Sequence, residues 1–310
     1  MPDGPGLSVD SRLYLRPHNS CHLPPRRFVI NVMKRLFAIA LFPVHVSAQT
    51  ADEIMAKVAE NQTRAEAARA GFVYRQNVLV RMKRANGKLA REEDREYSVT
   101  PEPDGVKREM THFSGKYGVG GKEFPISDPG EKYKDNDVDA DLAKSLADDF
   151  GNDEESRDGI NQDLFPLTAQ KQKGYVFKLA GQETWHDRAV YRITFEPRRN
   201  SSDDQDGTHW AGEALIDKAD LTPVLITTHL AHGVPILVKT LLGTNIEQLG
   251  FKVTYGKFND NLWFPVNYSG ELKVRLLFLY ARTISLGLVN SGFQKADVKS
   301  SIAFEDHPAN

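Results

Sequence analysis

Cysteine occurs once in the 310 residues, at Cys21. A disulfide-stapled scaffold and a cysteine-based zinc site are therefore excluded. Neither charge sign dominates, since 40 Lys and Arg stand against 42 Asp and Glu. The clustered basic surface that nucleic-acid phosphates need is missing. Long hydrophobic runs are missing too. The stretch Leu36 to Val46 has only eleven residues and contains Pro43 and His45, whereas a spanning helix needs about 20. Catalytic signatures are as scarce: there is no Gly-x-Ser-x-Gly elbow, no His-Glu-x-x-His helix and no Cys-x-x-Cys pair. What remains is an ordinary globular balance of 40% hydrophobic and 9% aromatic residues, enough for one large domain.

The two ends of the chain differ from its middle. Residues 33–48 combine a basic start at Lys34 and Arg35, a short apolar run and a small-residue exit at Val46, Ser47 and Ala48. This is the grammar of a secretory signal cleaved after Ala48. Residues 1–32, with five prolines and no apolar periodicity, read as an upstream extension outside the fold, with Met33 as an alternative start. Cleavage removes six basic and two acidic residues together with Cys21, leaving a chain of 262 residues with net charge −6. The expected chain is an exported one. Residues 49–300 form one domain and 301–310 a tail.

Thr50-Ala51-Asp52-Glu53 is a capping box, followed by Ile54, Met55, Val58, Ala65 and Ala68 at helical spacing. A helix over Ala51 to Ala68 opens the domain. Phe72, Tyr74, Val78, Val80 and Met82 then alternate with polar residues, and Asn86-Gly87 turns the chain into a second strand, Lys88 to Thr100. A third strand is expected over Val106 to Phe113, and the glycines at 115, 118, 120 and 121 read as a turn. Thirteen acidic residues crowd 128–163, with Leu142, Leu146 and Phe150 spaced by four. That spacing predicts a second amphipathic helix, Asp139 to Phe150, with a solvated acidic face. Strand grammar resumes after Phe165-Pro166 in segments that include 175–179, 183–185 with 189–195, 209–217, 223–230, 234–242, 246–258, 263–268 and 271–288. About ten short strands with few helices define an α+β, mainly antiparallel β, architecture: a large curved sheet that either rolls up and fills its interior with side chains or is roofed by helices over a cavity.

Several motifs fail on inspection. Gly115 to Lys122 has the wrong spacing for a phosphate loop, and Glu123 stands where a Ser or Thr would bind magnesium. Asp135, Asp137, Asp139 and Asp141 alternate like calcium ligands, but Ala140 and Leu146 replace the required glycine and glutamate. A weak exposed cation site is the most they suggest. His229 and His232 are too poorly placed along a strand to share a metal. No cofactor and no metal are expected. What the strands do offer is a collective apolar face, with Phe72, Tyr74, Val78, Val80, Tyr191, Ile193, Phe195 and Trp263 as candidate cup-lining residues; each alone is equally well explained as packed core.

The order of features resembles the LolA/LolB-like group of lipoprotein-sorting proteins. The resemblance rests on the Ala51-Asp-Glu-Ile-Met-Ala-Lys-Val58 helix and the strand Phe72-Val-Tyr-Arg-Gln76. It extends to Gly212 to Val224, to Asp260-Asn-Leu-Trp-Phe-Pro265 and to Ser269-Gly-Glu271. It spans most of 49–300. It implies a strongly curved, unclosed β-barrel with helices packed in or over its concave face, and a periplasmic, non-enzymatic carrier whose partners are lipid or lipoprotein acyl chains, with envelope membrane proteins as donor and acceptor and no nucleic acid. It also implies a lid held by an arginine, for which Arg75 and Arg81 are the first-strand candidates. The acidic insert and the late strand 272–288 depart from the compact carriers. Two rivals stand beside this reading: a periplasmic sensor of mislocalised lipoproteins acting through a protein partner, and an exported hydrolase built on Asp217, His209 and His229.

Overall fold

The structure, a computed structural model, describes residues 49–150, 156–160, 165, 167–198, 209–232, 245–258, 262–276 and 280–296. The leader and upstream extension, the expected strand 234–242 and the tail 301–310 lie outside the described residues. Helix α1, Ala51–Arg69, starts where the capping box places it. Thr50 Oγ1 accepts from the Glu53 amide at 3.2 Å, and Glu53 Oε2 accepts from the Thr50 amide at 2.9 Å, so two otherwise unpaired amides are satisfied reciprocally. Strand β1, Phe72–Arg84, turns through Asn86-Gly87 into β2, Leu89–Glu102. Gly87 sits at φ +78, a conformation that glycine adopts without a steric penalty.

Two expectations are corrected in the next segment. The run Gly115 to Lys122 is not one turn. β3 extends over Gly105–Val119 and pairs with β4, Lys122–Ile126, leaving only Gly120 and Gly121 to turn the chain. Gly115 and Gly118 serve close approach inside the sheet, because a Cβ at Gly118 would meet the Leu89 carbonyl oxygen at 2.5 Å. The stretch 271–288 is likewise two strands: β10, Leu262–Leu276, and β11, Tyr280–Lys295. Between β4 and β10 come α2, Val138–Asp149; α3, Ala169–Gln172; β5, Tyr175–Trp185; β6, Arg188–Pro197; β7, His209–Asp217; β8, Pro223–His232; and β9, Asn245–Phe258. β5 runs unbroken across the gap expected at 180–182 because a register shift between Leu179 and Gly181 absorbs the extra residue.

All these strands belong to one open, curved, antiparallel sheet of eleven strands ordered β4-β3-β2-β1-β11-β10-β9-β8-β7-β6-β5. The order is two meanders fused at the chain's two ends. β1 pairs with β11 from Phe72 opposite Lys295 to Arg84 opposite Arg282, so the first and last strands meet in mid-sheet. The two edges, β4 and β5, are adjacent in sequence and are joined by the connection that carries α2 and α3.

Period-two patterning puts one row from each strand on the core face. The register lines up Val78, Val80 and Met82 with Leu288, Leu286 and Ile284, then with Tyr268 and Leu272, Val253, Ile226, Ala214 and Ile193. α1 adds Ile54, Met55 and Val58 to this cluster; α2 adds Leu142, Ala143, Leu146 and Ala147. Both helices thus pack on the face that bears the core, α1 against β5 and β10 and α2 against β1 and β2. Among the described residues, no helix is long and apolar enough to cross a membrane.

Candidate ligand-binding face

Apolar rows line the core face from β1 and β11 through to β6, β2 sets the charged row Arg91, Glu93 and Arg95 beside them, and the two helices contact different parts of this face. α1 is clamped at its C-terminal end. Arg69 Nε donates to Asp158 Oδ2 at 2.7 Å and Nη1 to the Trp263 carbonyl at 3.1 Å. Both side chains are buried. Tyr74 donates its hydroxyl proton to the Asp158 carbonyl at 2.9 Å. The 156–160 segment is thereby held against β1 and the end of α1.

α2 is held by charge along its length. Asp137, its N-cap, accepts from the Ala140 amide and faces Arg91 at 3.4 Å. Asp139 takes a two-pronged contact from Arg282, Nε to Oδ1 at 2.7 Å and Nη2 to Oδ2 at 2.8 Å, and accepts from the Tyr280 hydroxyl at 2.7 Å. Arg95 reaches Asp148 at 3.0 Å, and Arg108 donates to the carbonyls of Asp148 and Ala147 at the helix end. Beneath them Glu93 bridges Arg91, at 2.6 Å, and Arg95. Cations at a helix C-terminus and aspartates in its first turn also suit the helix dipole. Burial is the largest single influence on Arg95 and works against its charge, but hydrogen bonding to Glu93 and Tyr97 and the charges of both together raise that guanidinium's pKa. Burial also pushes the Tyr280 hydroxyl upward, as does the Asp139 carboxylate beside it.

The acidic segment is therefore not a simple solvated face: Asp137 and Asp139 are buried in ion pairs. The cation-site expectation fails with it. Asp137, Asp139 and Asp141 are divided among Arg91, Arg282 and Lys132, and no cluster of three metal-ligating side chains occurs among the described residues.

The candidate cup-lining residues separate into four surroundings. Val78, Val80, Ile193 and Phe195 are fully packed core residues shared by the sheet and its helices. Tyr74 is buried against the Asp158 segment, and Trp263 is buried with its indole N–H on Asp220 Oδ2 at 3.1 Å and the Arg188 guanidinium 5.0 Å over its ring. Tyr191 is half-buried, its hydroxyl donating to Gln49 at 3.2 Å just before α1. Phe72 belongs to a separate aromatic cluster with Phe264, Phe258 and Phe293, where ring centroids lie 4.1–5.7 Å apart.

The first-strand arginines do not face the helices. Arg81 pairs with Glu92 across the β1–β2 ladder, and Arg75 lies against Gly292. The fastening residues are Arg69, Arg91, Arg95 and Arg282. Sequence reasoning missed them because β2 reads Arg91-Glu92-Glu93-Asp94-Arg95, with no apolar alternation to mark a buried row. The one available signal was the alternation Arg91, Glu93, Arg95 at period two, opposite in sign to the aspartates at 137 and 139. The hydrolase grouping also dissolves. Asp217 Oδ1 accepts from the amides of Ala219 and Asp220 and its other oxygen faces Arg188. His229 is exposed and opposite Ala211, at the other end of the β7–β8 ladder. The side chain of His209 lies outside the described residues.

No family model matches the chain, and no curated protein does. Among solved structures, the chain is similar to a DUF1329 family protein from Desulfovibrio piger, at 10% identity and a TM-score of 0.35, over 82% of this chain and 96% of that one. It is also similar to the Mycobacterium tuberculosis lipoprotein LppX, at 9% identity and a TM-score of 0.22, over 79% and 97%. At these values the likeness identifies neither a family nor a function.

Proposed function

We propose that this protein is a non-enzymatic carrier or binder of lipid acyl chains, with outer-membrane lipoprotein sorting as the process and the periplasm as the compartment. One observation carries the reading. A largely apolar sheet face, bordered by the charged row of β2, is covered in part by α2, a helix whose inward side is mostly small, Ala140, Ala143 and Ala147 beside Leu142 and Leu146, and whose fastening is ionic. Ion pairs exchange readily with water at their exposed end, whereas the apolar floor beneath needs an apolar replacement. Lifting α2 would uncover the apolar row of β1 beside the charged row Arg91, Glu93 and Arg95 of β2, and hydrocarbon would refill the β1 side at about 0.8 kcal/mol per buried methylene. A chain of a dozen or so methylenes then offsets the helix contacts it displaces. The expected signal at 33–48 supports the compartment, and the resemblance of the 51–58 and 212–224 segments supports the sorting role. Donor and acceptor would be envelope membrane proteins.

The test is native mass spectrometry of protein purified without detergent from its own envelope. The reading expects an adduct of one or more acyl-chain lipids that is lost on denaturation. Protein that arrives bare and takes up no alkyl-chain fluorescent probe sinks it.

A further inference from the structure

The core face is not uniformly apolar. On β1, Gln76 lies opposite Asn290 of β11, with Tyr74 two residues before it and Tyr268 of β10 in the neighbouring row. Gln76 is 0% exposed and Asn290 3%. The Asn290 amide nitrogen donates to the Pro265 carbonyl at 2.9 Å, which leaves its Oδ1 facing Gln76; Gln76 Nε2 donates to that oxygen at 3.3 Å. This chain of contacts fixes which way the Gln76 amide points, because exchanging its oxygen and nitrogen would set two oxygens face to face. Gln76 Oε1 is then turned away, with no partner among the described residues. Such an atom is rare in a native interior and costs on the order of 1–3 kcal/mol if left unmet.

The surroundings define its complement. Oε1 accepts only, so the complement must donate. The charges nearby are already spent: Arg69 is satisfied by Asp158 and the Trp263 carbonyl, and Asp158 Oδ1 accepts from the Ile160 amide at 3.2 Å. Tyr74, Tyr255 and Tyr268 are all buried, and burial holds their hydroxyls protonated far above neutrality. An anionic group would meet no free cation here. A second buried amide, Gln62 of α1, on the same helix face as Arg69 and two turns before it, holds an Nε2 that also lacks a partner among the described residues.

We propose that the polar spot formed by Gln76, Asn290 and the flanking tyrosines receives the uncharged, hydrogen-bond-donating headgroup, a hydroxyl or amide N–H, of an amphiphile whose chain lies on the apolar face. The assignment rests on the carrier reading and narrows its ligand to neutral lipids that can donate.

The experiment compares three ligands of equal chain length, monolauroylglycerol, methyl laurate and laurate, in displacing 1-N-phenylnaphthylamine from lipid-free protein near pH 8. The glycerol ester should bind about tenfold tighter than the methyl ester, the worth of one hydrogen bond to a buried acceptor, and tighter than laurate. Gln76→Leu should reduce that ratio to about one while holding methyl laurate within about twofold; Gln76→Met is the second variant in case the first does not fold. Equal binding of the two esters by the unmodified protein means that a trapped water satisfies Gln76 and overturns the assignment, leaving the carrier reading intact. Preference for laurate overturns it as well. Uptake of neither probe nor ester removes the carrier reading and this inference together.

Discussion

Arg69 and Asp158 are both almost completely removed from water, so each depends on the other. Replacing one leaves a buried charge without its partner, which costs about 3–5 kcal/mol, whereas exchanging both for apolar residues of similar volume is often far milder. Asp158→Leu should therefore lower the urea midpoint strongly, and the double variant Arg69→Met, Asp158→Leu should recover most of the loss. Equal losses in the two would deny the pair its coupling. Gly212 tests a steric point on β7. A Cβ there would meet the Thr227 carbonyl oxygen at 2.0 Å, and backbone cannot retreat as a side-chain tip can. Gly212→Ala should cost about 3 kcal/mol, read as a fall in the thermal midpoint.

The helix α2 is fastened by four arginines from β2, β3 and β11 and buries few large side chains, so its grip is more electrostatic than that of α1. Asp139→Asn removes the charge that Arg282 and Tyr280 share. Hydrogen exchange followed by mass spectrometry should show α2 amides losing protection by about tenfold or more, while the β9–β10 ladder is unchanged; protection lost equally in both would mean that α2 does not open by itself. At this scale the sequence was legible where periodicity carried burial. The capping box placed α1, Leu142 and Leu146 placed α2, and Asn86-Gly87 placed the first hairpin. It was illegible where polar residues were buried, since Arg91, Glu93 and Arg95 read like solvent-facing positions until partners from a helix 40 or more residues away are known. Glycines at 115 and 118 misled for a related reason: close strand packing and turning use the same residue.

The whole molecule carries a pH signature. Burial raises the hydroxyls of Tyr74, Tyr255, Tyr268 and Tyr280 above the usual phenolic value. The unfolded chain ionises them near pH 10, so above that pH it binds fewer protons than the folded protein. The stability they contribute is full below about pH 10 and is lost as pH climbs toward their folded values. Alkaline titration should give early, gradual tyrosinate absorbance from the exposed rings, then a cooperative step that coincides with loss of circular dichroism. Smooth ionisation of every tyrosine with the fold intact would contradict their burial. A mainly antiparallel, curved sheet with few helices could be read in the sequence from strand count and alternation; the mid-sheet meeting of β1 and β11 could not, because no local pattern encodes which distant strand completes a ladder.

That meeting sets a timetable for self-assembly. Phe72 has no neighbour on its β11 side until Lys295 has been delivered, so a ribosome still holding β11 holds the whole sheet in two halves. Contacts of such sequence separation make folding slow. The two halves become one sheet only once β11 is free to pair with β1.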